Sequence, residues 1–258
     1  MDGTSLLSAF IDTAEQRKKL TTARAGLVAS CMKRLGFADF KSLETKEQGA
    51  ELITGRRYLY IEPAQAARTG YAEVADATPG KRRTADQARA VTLEERRALT
   101  GGGVTLSNGQ TVPQGGCTAE ASRILTTGAS QPDDLLVWRL MAEAAAPARQ
   151  NAEAIRTAAG WSACMKQRGF GYATPEDAWN DARWVRQPGS AVSDDERRVA
   201  TADMECKNQS GYVMALSNAQ NANEKKLVEQ HAEALTALAR NREVLLRNTE
   251  IVLKGGRP

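Results

Sequence analysis

CMKRLGF, from Cys31 to Phe37, and CMKQRGF, from Cys164 to Phe170, are two versions of one motif. Each closes a stretch with helical periodicity. Upstream of the first, Leu7, Ile11, Ala14, Ala25, Val28, Met32 and Leu35 fall on alternating three- and four-residue steps, and Phe10, Leu20, Leu27 and Cys31 widen that face. The spacing predicts one long N-terminal helix reaching about Leu35 and ended by Gly36. The second motif predicts a helix through Trp161 and Cys164 that stops at Gly169. In both, the cysteine falls in the last turns, and the phenylalanine after the glycine is set to fold back on the core.

A second correspondence follows in the same order. TLEERRALT, Thr92 to Thr100, matches SDDERRVAT, Ser193 to Thr201. Thr92 with Glu95 and Ser193 with Glu196 read as capping boxes, so each segment starts a helix, and each is followed by a cysteine, Cys117 or Cys206. Two matched blocks in one order indicate a duplication. It divides the 258 residues into a first half, 1–130, and a second, 131–258, which together form two domains or one compact unit.

The four cysteines, Cys31, Cys117, Cys164 and Cys206, form no CxxC, and the only histidine is His231. Scattered cysteines do not suit a tetrahedral zinc site, whereas an even, well-separated set suits disulfides in an oxidising compartment. Three pairings are open; the repeat favours Cys31–Cys117 and Cys164–Cys206, one per half. The opening MDGTSLLSAF lacks the basic start and apolar core of a signal peptide, so the chain is cytosolic or a leader has been removed, and the cysteines favour export.

Other punctuation completes a mainly α outline. Pro63 starts a short helix that Gly70 ends, and Asp76–Gln87 reads as a loop. After Gly101-Gly102-Gly103, VTLSNGQTV reads as a β-hairpin with a type I′ turn at Asn108-Gly109, an insert that the second half lacks. In the second half a helix follows Pro132-Asp133-Asp134, Pro147 interrupts or restarts it, and Thr174-Pro175-Glu176 begins another. Towards the C-terminus Val228, His231, Leu235, Leu238, Arg242, Leu245, Thr249 and Val252 mark a long amphipathic helix. It is expected to pack on the N-terminal helix or to form a coiled coil with a partner.

Charge argues against nucleic acid. Lys and Arg number 35 against 31 Asp and Glu, interleaved, and the densest basic stretches are Arg56-Arg57 and Lys81-Arg82-Arg83. Nothing reads as a membrane span. His231 lies among alanines and leucines and reads as a core-edge residue; GxSxG, HExxH and a phosphate loop are missing, and Asp133-Asp134 and Asp194-Asp195 read as helix-start carboxylates. No catalytic residue, metal ligand or cofactor site is expected, leaving a carboxylate-pair glycosidase as the residual enzymatic reading. All four tryptophans, Trp138, Trp161, Trp179 and Trp184, fall in the second half. Trp179, Arg183, Trp184 and Arg186 form the candidate binding site, if one helix carries them exposed; the simpler reading makes the two tryptophans a cap on the core.

Taken together, CMKxxGF, EERRALTG, NGQTVPQGGCTAEASRIL, AAGWSACMKQRGFGYATPEDAWND, DDERRVATADMECK and EQHAEALTALARNREVLL resemble uncharacterised secreted proteins and lipoproteins of actinobacteria, over about Cys31 to Leu246. The resemblance implies an exported, envelope-associated protein; such proteins are often encoded beside a periplasmic adaptor and an ABC-type exporter. It carries over no catalytic residues. The expectation is a non-enzymatic extracytoplasmic binding or accessory protein, working with an exporter or binding a peptide or cell-wall ligand. The alternative is a structural protein assembling through its C-terminal helix. Any membrane attachment would run through a lipid anchor outside this sequence.

Overall fold

The computed structural model describes residues 5–40, 58–72, 91–130, 133, 135–186 and 190–258. Ten α-helices occur among them: α1 Ala14–Arg34, α2 Pro63–Thr69, α3 Leu93–Thr100, α4 Gly116–Leu125, α5 Leu136–Ala148, α6 Ala152–Gln167, α7 Pro175–Trp179, α8 Asp194–Ser210, α9 Tyr212–Gln230 and α10 Ala232–Leu253. None of the described helices is long and apolar enough to cross a membrane. Two disulfides link Cys31 to Cys117 and Cys164 to Cys206. The chain divides into two compact units, each discontinuous in sequence. One draws on Met1–Ser8, Gly49–Gln87 and Trp138–Gln230, the other on Ala9–Gln48, Ala88–Val137 and His231–Pro258. Each unit holds one disulfide, and each takes residues from both sides of position 130. The basic stretches at 56–57 and 81–83, the loop at 76–87, and residues 131, 132 and 134 lie outside the described residues.

In the unit containing α1, α3, α4 and α10, the first motif ends its helix as read. Gly36 has φ +95°, Gly36 N donates to Lys33 O (3.1 Å) and Phe37 N to Met32 O (3.0 Å). This αL closure satisfies carbonyls of the last turn and swings Phe37 onto the core of Val28, Cys31, Met32, Leu35, Ala98, Leu106, Val112, Cys117 and Ala121. Gly116 is demanded twice over: its φ is +74°, and a Cβ there would lie 2.3 Å from the Leu99 carbonyl oxygen. That close approach delivers Cys117, the next residue, to Cys31.

The structure departs from the sequence reading at the N-terminal helix, the hairpin and the C-terminal heptad. The N-terminal helix is not continuous: Leu6–Phe10 is a 3₁₀ turn, and α1 starts only after Thr13, whose side chain accepts from Gln16 N while Gln16 Oε1 accepts from Thr13 N. The capping box outcompetes continuation because it satisfies the first orphan donors of α1. The expected β-hairpin is not formed; a single antiparallel bridge joins Thr105 and Thr111. Leu106 N donates to Gln110 O and Gly109 N to Leu106 O, with positive φ at Gly109 but not at Asn108, so the turn spans three residues and is not type I′. Pro113 has no N–H to extend the ladder, and Leu106 and Val112 turn into the core. The Asn108 side chain bonds elsewhere, Nδ2 donating to Leu35 O (2.8 Å) and Oδ1 accepting from Gln110 N (3.1 Å).

The C-terminal heptad does not run on as one helix but breaks at His231, a residue with φ −111° and ψ 21°. The helix beyond it, α10, packs on α1 and α4. Its polar members hold neighbouring ends together. Arg242 donates to Asp12 Oδ1 (2.6 Å), Ile11 O (2.9 Å) and Gln16 Oε1 (2.6 Å), and so clamps the break before α1. Asn248 Nδ2 donates to Leu125 O and Thr127 O, both 2.9 Å, closing the end of α4.

The other unit contains α2 and α6–α9 together with most of α5. Its motif repeats the local geometry: Gly169 has φ +87°, and Phe170 N donates to Met165 O (2.9 Å). Phe170 packs on a core of Ala66, Tyr71, Trp161, Cys164, Met165, Ala178, Trp184, Val199, Ala200, Ala202, Met204 and Cys206. Here Cys206 lies inside α8 itself. Ser193 caps α8 by accepting from Glu196 N (3.1 Å), but Glu196 does not return the bond; its carboxylate is used in the core instead, so this capping box is half made.

Candidate functional site

The Trp/Arg segment does not lie on one helix. α7 ends at Trp179, Asn180 caps it, and Ala182–Trp184 is a separate 3₁₀ turn opened by Asp181. The four residues therefore take different environments. Trp184 is buried, its Nε1 donating to Ala178 O (2.8 Å). Trp179 is half-buried, its ring 5.0 Å from that of Tyr71. Arg183 is exposed, lies 4.7 Å over the Trp184 ring and donates through Nε and Nη2 to Asp181. Tyr172 closes the cluster, its hydroxyl donating to Asp181 Oδ2 (2.7 Å) and accepting from Arg183 Nη2 (2.5 Å). The Arg183 guanidinium holds the Asp181 carboxyl well below the usual carboxylate range, and burial pushes the Tyr172 phenol up to about 12. Arg186 turns the other way, donating to Glu196 (2.5 Å), whose side chain is 2% exposed.

Beneath this edge lies a polar network that sequence reading missed. Asp203 and Lys207, one turn apart on α8, are both fully buried and 2.9 Å apart. Asp203 Oδ1 accepts from Trp161 Nε1 (2.8 Å), and Oδ2 accepts from the Tyr71 hydroxyl (3.1 Å) as well as from Lys207. Lys207 also donates to the Leu59 carbonyl, and its Nζ lies 5.5 Å from the Trp179 ring centroid. Leu59 has φ +50°, the only positive φ of a non-glycine among the described residues. Tyr71 N donates to Glu196 Oε1 (3.0 Å), and Ile61 N to the Met204 sulfur (3.1 Å). The 58–72 segment is thus fastened to α8 by buried charges. A Cβ at Gly70 would sit 2.7 Å from Glu196 Oε1, so glycine is required where the segment passes that carboxylate.

Burial pushes the Asp203 carboxyl up and the Lys207 ammonium down; in each case the partner's charge opposes the shift. The i, i+4 spacing of Asp203 and Lys207 amid Val199, Ala202, Met204 and Cys206 was the available signal, since it puts both on an otherwise apolar face. Tyr71 carried no such signal. Among the described residues no group of three or more His, Cys, Asp or Glu is placed to hold a metal ion. Chemically the surface edge offers an indole-backed guanidinium, a phenol and Val185, which is 84% exposed. No family model, curated protein or solved structure matches this chain.

Proposed function

We propose that this chain is a non-enzymatic binding or accessory protein of the cell envelope, working outside the cytoplasm and built from a duplicated, disulfide-stapled module. The observation that carries the reading is the complete pairing of the cysteines, one bond in each unit, with all four sulfurs in the interior. Disulfides persist in oxidising compartments and are rare in the cytosol. The duplication is supported by the shared glycine-terminated ends of α1 and α6, each of which carries its cysteine in the last turn. The ligand class that suits the edge of Tyr172, Arg183 and Val185 is a peptide or peptide-bearing cell-wall fragment. Val185 supplies apolar contact, and the guanidinium face and phenol meet carbonyl groups. The role beside an ABC-type exporter follows from the sequence resemblance.

The test is titration of the oxidised protein with soluble cell-wall fragments and envelope peptides, read by tryptophan fluorescence. Arg183→Ala combined with Val185→Ser should weaken binding about tenfold, corresponding to ~1.4 kcal/mol. Identical binding by this variant would remove the edge as the site. Free thiols in protein recovered from its native compartment would overturn the extracytoplasmic reading.

A further inference from the structure

We propose that Lys207 and Asp203 are joined by a self-formed lactam, an amide between Lys207 Nζ and Asp203 Cγ that cross-links the last turns of α8. The geometry resembles a reaction site more than an ordinary ion pair. Both side chains have no exposure to solvent, and nitrogen and carboxylate oxygen lie 2.9 Å apart on successive turns. By contrast, the ion pairs of Lys19 with Glu15 and Glu250 have side chains at least 43% exposed and stay open to water. The carboxyl is polarised from both sides, by Trp161 Nε1 on Oδ1 and by the Tyr71 hydroxyl on Oδ2. Burial also favours the neutral amine and the neutral acid, the two forms that condense.

The step balances without redox chemistry. A rotation of the carboxyl about Cβ–Cγ turns its face to the amine, and the Nζ lone pair adds to Cγ. Negative charge gathers on Oδ1, held by the Trp161 N–H. Oδ2 carries the neutral acid's own proton and takes a second from the Tyr71 hydroxyl, Tyr71 recovers one from Nζ, and Oδ2 leaves as water when the C–O bond breaks. The products are one amide and one water, from one amine and one acid. The remaining amide N–H keeps the bond to Leu59 O that Lys207 now makes. Two driving forces act together: fixed neighbours react with a high effective molarity, and the product removes a buried ion pair whose desolvation is costly.

Intact mass of the full-length folded protein, reduced and alkylated after incubation, tests this. The expected mass is one water below that of the sequence with its four cysteines alkylated, and trypsin should fail to cut after Lys207, leaving a Val199–Lys225 peptide short by the same water. Lys207→Arg should restore the sequence mass, and Tyr71→Phe should slow the mass loss by about 100-fold or more. The wild-type measurement needs no variant to fold. Folded protein with both disulfides, at full sequence mass and cleaved after Lys207, overturns the proposal. So does a missing water on a peptide that ends normally at Lys207, which marks a succinimide.

Discussion

Before the amide forms, Lys207 and Asp203 are an ion pair, and replacing Lys207 by methionine isolates the energetics of that buried network. Methionine roughly keeps the volume and the apolar stem but removes the cation that pairs with Asp203. The carboxylate is then left at 0% exposure with two neutral donors, Trp161 Nε1 at 2.8 Å and Tyr71 Oη at 3.1 Å. Breaking a buried pair from one side costs about 3–5 kcal/mol, because the surviving charge is uncompensated. Asp203 escapes part of that cost by taking up a proton. Its folded pKa is already raised by burial against an ordinary value of 3.8, and loss of Lys207 removes the charge that opposed the rise. A carboxyl with a raised folded pKa stabilises fully below its unfolded pKa, and that contribution is lost as pH climbs through the folded value. Lys207→Met should therefore be strongly destabilised near neutrality and much less so near pH 3.8. Adding Asp203→Asn removes the orphan charge, keeps an oxygen to accept from Trp161 Nε1 and lets Nδ2 donate to the Tyr71 hydroxyl, and should recover about 2–3 kcal/mol at neutral pH. All four tryptophans belong to this unit, so urea unfolding followed by their fluorescence reports it directly. A Lys207→Met penalty that is equal at both pH values, or a double variant no more stable than the single, would refute the reasoning.

Opening the disulfides should be costly in proportion to the loops they close. On the chain-entropy relation, separations of 42 and 86 residues correspond to about 4 kcal/mol for Cys164–Cys206 and about 4.6 kcal/mol for Cys31–Cys117; calorimetry of the paired Cys→Ser variants checks the order. Arg186→Ala should lower stability by about 2–3 kcal/mol, because among the described residues Glu196 then keeps only its backbone donor from Tyr71, whereas Arg183→Ala, at a pair exposed on the arginine side, should cost at most about 1 kcal/mol. Denaturant midpoints distinguish them. Asp181, with its depressed folded pKa, stabilises above its ordinary value of 3.8, and that contribution is lost only as pH falls through the lower folded value. Carboxyl NMR should show it ionised in acid that protonates an ordinary aspartate, and Arg183→Ala should return it towards 3.8.

How much could be read from residues alone depended on whether the signal was local. The glycine-terminated helices, the Thr92 box and the cysteine pairing were legible because each is written within a few residues or repeated in order. The N-terminal helix was overextended because its apolar line runs straight through Asp12-Thr13, where a cap wins over periodicity. Arg242 was read only as a member of the C-terminal heptad, yet it clamps the Ile11 carbonyl and the Asp12 carboxylate, more than 200 residues away. Arg183 and Arg186 were placed on one face by assuming a helix that Asn180 and Asp181 interrupt. The pairing of Tyr71 with Asp203 could not be anticipated, because nothing near either residue in sequence points to the other.

The turn at Asn108-Gly109 bears on how this protein ages. An asparagine followed by glycine normally loses its amide readily, when the next backbone nitrogen attacks the side-chain carbon to form a cyclic imide. Here both ends of the Asn108 amide are tethered, and Gly109 N is engaged with Leu106 O at 2.9 Å. Cyclisation requires all three bonds to let go, so the folded chain should deamidate at this site far more slowly than the same stretch as a free peptide. Once converted, an aspartate there would face the Leu35 carbonyl at the negative end of α1 with no proton to offer it, undoing the hold on α1 next to the turn that carries Cys31.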